Sequence, residues 1–218
     1  MRLTKKNKVV KIESIYPKKR NHELFILKLS NDTKYEISKN VLVKTPLREG
    51  EQIEKSVLDE VLQKQEQSNI QNSAISLLSY RMRSKKEIYS KLTQKGYASD
   101  QVNLVISKFV DKGWLNDHEF GFAFSKDQIN RNYIGPISLK YKLKEYIDSD
   151  EQIRSIVRLV YDEMKVNEII YNVLKRFEPS LIQNDEKLRQ KIINKLRRKG
   201  HYWQDIDESI KNYIEGKQ

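Results

Sequence analysis

The sequence predicts a mainly α protein: tandem three-helix repeats forming an elongated curved array, behind a small β-rich N-terminal module. Three observations carry this. First, Leu92, Leu143 and Leu196 head three similar stretches a little over 50 residues apart. Four residues before them stand Ile88, Leu139 and Ile192, ten after them Val102, Ile153 and Ile206, and fourteen after them Ile106, Val157 and Ile210. That recurrence in helical phase is the mark of stacked units, each too small to bury its own apolar face. Second, Gly96, Gly113 and Gly200 stand where helices should stop, the first and last inside the related turns Gln94-Lys95-Gly96-Tyr97 and Arg198-Lys199-Gly200-His201. The middle copy has Glu145-Tyr146-Ile147 there instead. Third, the residues before about 48 show strand-like patterning, not helical patterning.

In chain order, Val9–Tyr16 partly alternates, Leu24–Leu29 is an apolar run, and Tyr35-Glu36-Ile37 and Val41-Leu42-Val43 read as further strands. Ser30-Asn31-Asp32 supplies turn chemistry for a hairpin, and Pro46 and Gly50 close the segment. A helical stripe then begins at Ile53 and runs through Val57, Leu58, Val61 and Leu62. The Gln/Ser/Asn-rich stretch from Gln63 to Ser73 reads as a weakly held connector or a frayed helix. The expected modules are 1–48 (basic, β-rich), 49–72 (helical connector), 73–115, 116–163 and 164–218 (three-helix repeats). Helices are expected near 73–82, 84–95 and 99–112, then 117–131, 136–146 and 150–162, then 166–177, 185–199 and 203–214. The starts carry caps. Ser84-Lys-Lys-Glu87 and Ser149-Asp-Glu-Gln152 have the capping-box form, Asn116-Asp117 and Asn184-Asp185 offer N-caps, and Gly135-Pro136 fits a break with proline in a first turn.

Bulk properties narrow the function. Lys and Arg number 42 against 30 Asp and Glu, a net charge of +12, and the pI is about 9.5. The first 50 residues hold 13 basic against 5 acidic side chains, leaving 29 against 25 for the other 168. A soluble chain this basic commonly meets a polyanion. There is no cysteine, which rules out disulfides, thiolate metal sites and cysteine nucleophiles. No apolar run is long enough to span a bilayer, and the charged start Met1-Arg-Leu-Thr-Lys-Lys-Asn-Lys lacks the apolar stretch of a signal peptide. A cytoplasmic monomer without membrane contact or cofactor is expected. No phosphate-binding Gly-x-x-x-x-Gly-Lys-Ser/Thr loop occurs, and His22, His118 and His201 are scattered, so nothing proposes catalysis.

The motif run Arg81-Met-Arg83-Ser84-Lys-Lys-Glu87, Leu92, Lys95-Gly96, Gly113-Trp114-Leu115-Asn116-Asp117, Phe120 and Ala123 resembles the RecX family of recombination regulators. The second repeat matches it at Gly135, Ile137 or Leu139, and Leu143, and the third at Lys199-Gly200. Tyr146-Ile147 departs from the family's usual Gly-Ile. The resemblance covers roughly residues 70–215. It implies a curved row of three-helix repeats without an active site. It also implies a partner, the RecA filament on single-stranded DNA, whose growth, ATPase and strand exchange the protein lowers, together with direct, salt-dependent DNA contact.

The candidate binding residues are basic. Repeat one offers Arg81, Arg83, Lys85, Lys86, Lys91 and Lys95; repeat two offers Lys140 and Lys144, with Lys142 alternating around the same helix. Repeat three has the densest block, Lys187, Arg189, Lys191, Lys195, Arg197, Arg198 and Lys199, and the β module adds Lys18, Lys19 and Arg20 at a loop. Spacing puts 187, 191, 195 and 198 on one side of a helix, opposite Leu188, Ile192 and Leu196. Cations at four-residue spacing repel, and an anion nearby would relieve them. The plainer reading is that such lysines solvate an outer face. Arg81 and Arg83 serve equally well as partners of Glu87. Trp114, Trp203, Tyr80, Tyr89 and Tyr97 are expected to pack, and Asp117 to cap a helix. A competing function is a helix-turn-helix transcription factor, in which a last helix reads a groove. The third helices here are poor in Arg, however, and the basic residues fall on the middle helices. A scaffold that binds only protein is a third class.

Overall fold

A computed structural model describes residues 9–45 and 47–216. The run Met1–Lys8 and Pro46 lie outside them. The chain divides into two compact units, one of Met1–Tyr80 with Leu92–Val105, the other of Arg81–Lys91 with Ile106–Gln218.

The first unit opens with an antiparallel sheet of order β3-β2-β1-β4, built from β1 (Val9–Lys18), β2 (Asn21–Leu29), β3 (Lys34–Ser38) and β4 (Gln52–Glu54). Alternation in β1 breaks at Glu13, where the register slips between Ile12↔Leu29 and Ser14↔Lys28, an extra residue of the β-bulge kind. The β2–β3 turn uses Asn31, whose side chain accepts the Thr33 amide at 3.1 Å, and Asp32 in the left-handed region. Lys19 and Arg20 form the exposed β1–β2 turn, as the loop reading expected, while Lys18 pairs with Glu36 at 2.6 Å. Ile12, Leu27, Leu29, Ile37 and Ile53 make the inner face, closed by Val41, Leu58 and Val61.

Three expectations for this unit need correction. Val41-Leu42-Val43 is not a strand but the short helix α1 (Lys39–Val43). In a strand Val41 and Val43 would share a face; here Val41 is buried in the core and Val43 is exposed. Ile53 belongs to strand β4, pairing with Val10, and not to the following helix. Finally, the helical connector is continuous with the helix expected separately at 73–82: both are one 26-residue helix, α2 (Lys55–Tyr80). Its buried stripe is Leu58, Val61, Gln65, Ile70 and Ala74. A glutamine holds the central position because its side chain is used: Gln65 Oε1 accepts the Ser38 amide at 2.7 Å and its nitrogen donates to Asn69 at 2.9 Å. The polar stretch is tied down further by Gln67–Gln101 at 3.1 Å and Ser73–Tyr97 at 3.2 Å.

Helices α3 (Lys85–Gln94) and α4 (Ser99–Asp111) follow, and the unit boundary runs through both. The second unit then continues with α5 (Asp117–Asn132), α6 (Pro136–Lys144), α7 (Asp150–Glu163), α8 (Val166–Leu174), α9 (Pro179–Asn184), α10 (Glu186–Arg198) and α11 (Trp203–Ile214). The third repeat therefore has four helices where three were expected. The extra one, α9, is a single proline-started turn and a half that buries Ile182; six residues are too few to show a period.

The repeat anchors behave as their phase requires. Ile88, Leu139, Ile192, Leu92, Leu143, Leu196, Val102, Ile153 and Ile206 are at most 2% exposed. The outermost position does not hold evenly. Ile210 is buried, but Ile106 and Val157 are half-buried and their neighbours Val105 and Ile156 go inside instead. One core gathers Ile129, Leu139, Leu143, Ile153, Ile156 and Val160; a second gathers Ile170, Leu174, Ile192, Leu196, Ile206 and Ile210. Tyr146, the departure from Gly-Ile, fills an aromatic cluster against Phe124 and Phe120, with ring centroids 4.9 and 5.6 Å away.

The caps form largely as read. Ser84 Oγ accepts the Glu87 amide and Glu87 accepts the Ser84 amide, the full reciprocal box. Ser149 accepts from Gln152, Asn116 from His118 and Glu119, and Asp185 from Leu188. Asp117 caps as expected, but not its own helix. Its Oδ1 accepts the Lys85 amide at 2.8 Å, so a residue 32 positions away completes the start of α3.

The second and third repeats meet backbone to backbone. The Gly135 amide donates to Lys199 O at 2.8 Å and the Ile137 amide to Gly200 O at 3.1 Å. Lys199 Nζ donates to Asn132 O, and His201 Nε2 to Tyr133 O at 3.0 Å. Such closeness needs glycine on both sides: a Cβ on Gly135 would stand 2.4 Å from Gly200 O, and one on Gly200 2.4 Å from the Ser138 nitrogen. Gly200 also sits at φ +85°, open to glycine but strained for other residues.

Candidate functional site

The basic residues singled out from sequence divide by what holds them. Those of repeat one are mostly engaged. Arg81 forms a two-pronged pair with Glu87, at 2.5 and 3.2 Å, and also donates to Met82 O; the pairing raises its pKa further. Arg83, with a side chain only 12% exposed, lies 3.6 Å from the same carboxylate. Lys85 Nζ is 3.4 Å from Asp117, and Lys86 bonds Asp148 at 2.8 Å and Lys144 O at 3.3 Å. The Arg-x-Arg-Ser-x-x-Glu block is thus in the first place a built helix start: a capping box, a distant aspartate on the first amide, and two arginines on the box glutamate. Lys91 is half-buried and Lys95 exposed.

Repeat three is different. On α10, Lys187, Lys191, Arg197 and Arg198 border an open basin of about 860 Å³ together with Gln190 and Asn194. None of these four cations has an ion pair among the described residues. The opposite side of α10 buries Ile192, Ile193 and Leu196, which fixes the basin toward solvent. One expectation changes: Lys195 does not share that face. It is half-buried on the flank beside Lys199, whose pKa is pushed down by burial, then by Lys195 and Arg176. Arg189 turns away to Asp207 at 3.9 Å. Lys195, Arg197 and Arg198 also stand in the last turn of α10, where cations complement the helix dipole, the structural use of the same charges.

Repeat two holds a second concentration that the sequence showed only in part. Lys140 and Lys144 of α6 face Arg154 and Arg158 of α7 across a cleft of about 510 Å³, with Tyr141 and Tyr202 at its rim. Lys144 bonds Asp150 at 3.0 Å; this pair, with Lys140 and Arg154 nearby, holds the Asp150 carboxyl below its ordinary range. Arg154, Arg158 and Tyr202 were missed because α7 and the turn after α10 are adjacent only in the folded chain.

The aromatic expectations fare unevenly. Trp114 meets Phe109 edge-on at 5.1 Å, with Lys112 Nζ 4.9 Å from its ring centroid, yet stays half exposed. Trp203 is also half exposed and Tyr80 is 82% exposed, so neither is the packing residue expected. Tyr97 is half-buried and bonded to Ser73. Among the described residues no group of three or more His, Cys, Asp or Glu side chains could hold a metal ion. No described helix is long and apolar enough to cross a membrane.

A small β module followed by capped helical repeats defines a class of mainly helical repeat protein. Comparison with known proteins gives the family that the chain resembles. Residues 71–109 match the family model for the first three-helix domain of RecX. Regulatory protein RecX of Bacillus velezensis is 28% identical over 200 residues, covering 91% of this chain and 76% of the relative. A crystal structure of regulatory protein RecX superposes with a TM-score of 0.72 at 20% identity, covering 93% of this chain and 99% of the other. Another, of RecX from Lactobacillus salivarius, gives 0.61 at 24% identity, covering 67% and 96%. The two solved structures establish the mainly helical fold with its small antiparallel sheet. The resemblance to the RecX family, read first from the motifs, is borne out.

Proposed function

We propose that this chain is a non-catalytic regulator of the RecA recombinase that binds the RecA filament on single-stranded DNA and lowers its growth, ATPase and strand exchange. The observation that carries the reading is the α10 face, four cations set around one basin with no ion-pair partner among the described residues. Held on a helix whose other side is locked in the core, they form a fixed positive strip. Phosphates of filament-bound DNA, or acidic side chains of RecA, complement such a strip. Phosphate contact would make binding weaken steeply with salt, through counterion release. Lys18, Lys19 and Arg20 of the β module, with Lys91 and Lys95, are secondary contacts in this reading. A base-reading transcription factor fits less well. The last helix of the third repeat, α11, carries Asp205, Asp207 and Glu208, and a strip of lysines on α10 suits backbone contact, not base-edge readout.

The test is the DNA-dependent ATPase of the cognate RecA, titrated with this protein at several salt concentrations beside its binding to naked DNA. Inhibition is expected well below the level that saturates the DNA. The folded triple variant K187E/K191E/R198E is expected to need at least about tenfold more protein for the same inhibition. Unchanged inhibition by that variant would remove the α10 face from the interface. Inhibition only at DNA saturation would reduce the activity to competition for the polyanion.

A further inference from the structure

The groove between α8 and α11 has a chemistry unlike that of the basic surfaces. The α10 basin, the α6–α7 cleft and a groove along α7 are each edged by Lys or Arg. The α8–α11 groove has neither, although the chain carries a net charge of +12. It holds about 370 Å³, within the range of small-ligand sites, roughly 300–1,000 Å³. Two of its hydrogen-bond donors are already engaged. The Tyr213 hydroxyl donates to Phe177 O at 2.8 Å, and Asn172 Nδ2 donates to Glu168 O at 3.0 Å. What these leave over are acceptors. The Asn172 carbonyl oxygen is one, and the Glu168 carboxylate, which has no ion pair among the described residues, is another.

Ser209 adds a third. It lines the groove from α11, is only 7% exposed, and its Oγ has no hydrogen-bond partner among the described residues. A buried hydroxyl left idle weakens a fold relative to alanine, so this serine does nothing for the packing of α8 on α11. Aromatic surface completes the groove. Tyr171 and Tyr213 meet edge to face at 5.6 Å, and Tyr171 is 39% exposed. Glu168 also stands in the first turn of α8, where a carboxylate complements the helix dipole; that use leaves its oxygens open. An ammonium has only donors to offer and no acceptor, and tyrosine rings attract organic cations. A phosphate or carboxylate would meet Glu168 without any cation, and an uncharged ligand would leave Glu168 unpaired.

We propose that the α8–α11 groove is a binding site for an aliphatic ammonium, with Glu168 pairing its charge, Ser209 and Asn172 accepting its N–H groups, and Tyr171 and Tyr213 lying along its methylene chain. A free di- or polyamine and a lysine side chain share this chemistry. The site is separate from the α10 strip and does not rest on the RecA reading.

The experiment is isothermal titration calorimetry of the full-length protein with putrescine, spermidine, Nα-acetyl-lysine methylamide and 1,4-butanediol, the uncharged counterpart of putrescine. The amines are expected to bind at a single site and the diol not to bind. Glu168→Gln should weaken the amines about fivefold and Tyr171→Ala about threefold, while Tyr171→Phe, which keeps the ring, should bind like the parent. Spermidine held more tightly than the lysine analogue identifies a free polyamine as the ligand; the reverse order identifies a lysine side chain, and both orders support the ammonium site. Absence of binding by all three amines would overturn the proposal. So would a diol that binds as well as putrescine, Mg²⁺ that displaces spermidine equally well per charge, or unchanged amine affinity in Glu168→Gln and Tyr171→Ala proteins whose circular dichroism matches the parent.

Discussion

Replacing Gly135 by alanine should open the junction between the second and third repeats, although nothing about its own backbone forbids alanine. Gly135 has φ −92° and ψ 174°, an extended conformation that any residue adopts. Away from contacts, such a glycine-to-alanine change stabilises by about 0.4–1 kcal/mol, through the unfolded chain. Here the new Cβ would lie 2.4 Å from Gly200 O and 2.5 Å from both Gly200 C and His201 N. These are backbone atoms, so relief requires the 199–201 turn to withdraw as a whole. Withdrawal stretches the Gly135–Lys199 and Ile137–Gly200 bonds and the His201–Tyr133 bond, three in number. At roughly 1 kcal/mol each the loss is about 3 kcal/mol. Gly113→Ala is the control: its φ is +70° with nothing within 4 Å of a Cβ, so it carries only the left-handed penalty of about 1–2 kcal/mol. Urea unfolding followed by fluorescence suits the comparison, because the two tryptophans are Trp114 and Trp203, the latter three residues from Gly200. A Gly135→Ala protein as stable as the parent, or less damaged than Gly113→Ala, would refute the claim that this close approach sets the junction.

Two further outcomes concern stability. Asp117→Ala removes the acceptor of the first α3 amide and a partner of Lys85; a loss of about 1–2 kcal/mol is expected, read as a lower unfolding midpoint, with Asp117→Asn recovering part of it. An unchanged midpoint for the alanine variant would show that Ser84 suffices alone. His201 is almost wholly buried, and burial lowers its pKa, opposed by its bond to Tyr133 O. The unfolded histidine then takes up a proton at higher pH than the folded one. Its contribution is therefore complete above about pH 6.5 and is lost as pH falls through the interval down to the lowered folded value. Asp205, raised by burial, acts in the opposite sense nearer the carboxylate range. The histidine ring resonance should titrate below its ordinary value; titration at or above that value would contradict the burial.

The sequence by itself determined the helical repeat. Positions Leu92, Leu143 and Leu196, with their partners four before and ten after, are internal because a 3.6-residue period leaves them no other face. Most caps were legible for a related reason: Ser84, Asn116, Ser149 and Asp185 act within three residues of themselves. Where tertiary contact outweighs local pattern, the reading stopped. Gln65 looked like part of a connector because its value comes from the Ser38 amide, 27 residues away. Val41–Val43 has the composition of a strand, yet burial of Val41 alone selects a helical turn. Only the tertiary structure decided which cations are spent on Glu87, Asp117 and Asp148 and which on α10 remain open, because that depends on acids 4 to 62 residues distant in sequence. It alone brought Arg154, Arg158 and Tyr202 to Lys140 and Tyr141. Charge is a property of residues, but a site is a property of distances, and those are set by how the cores lock the helices together.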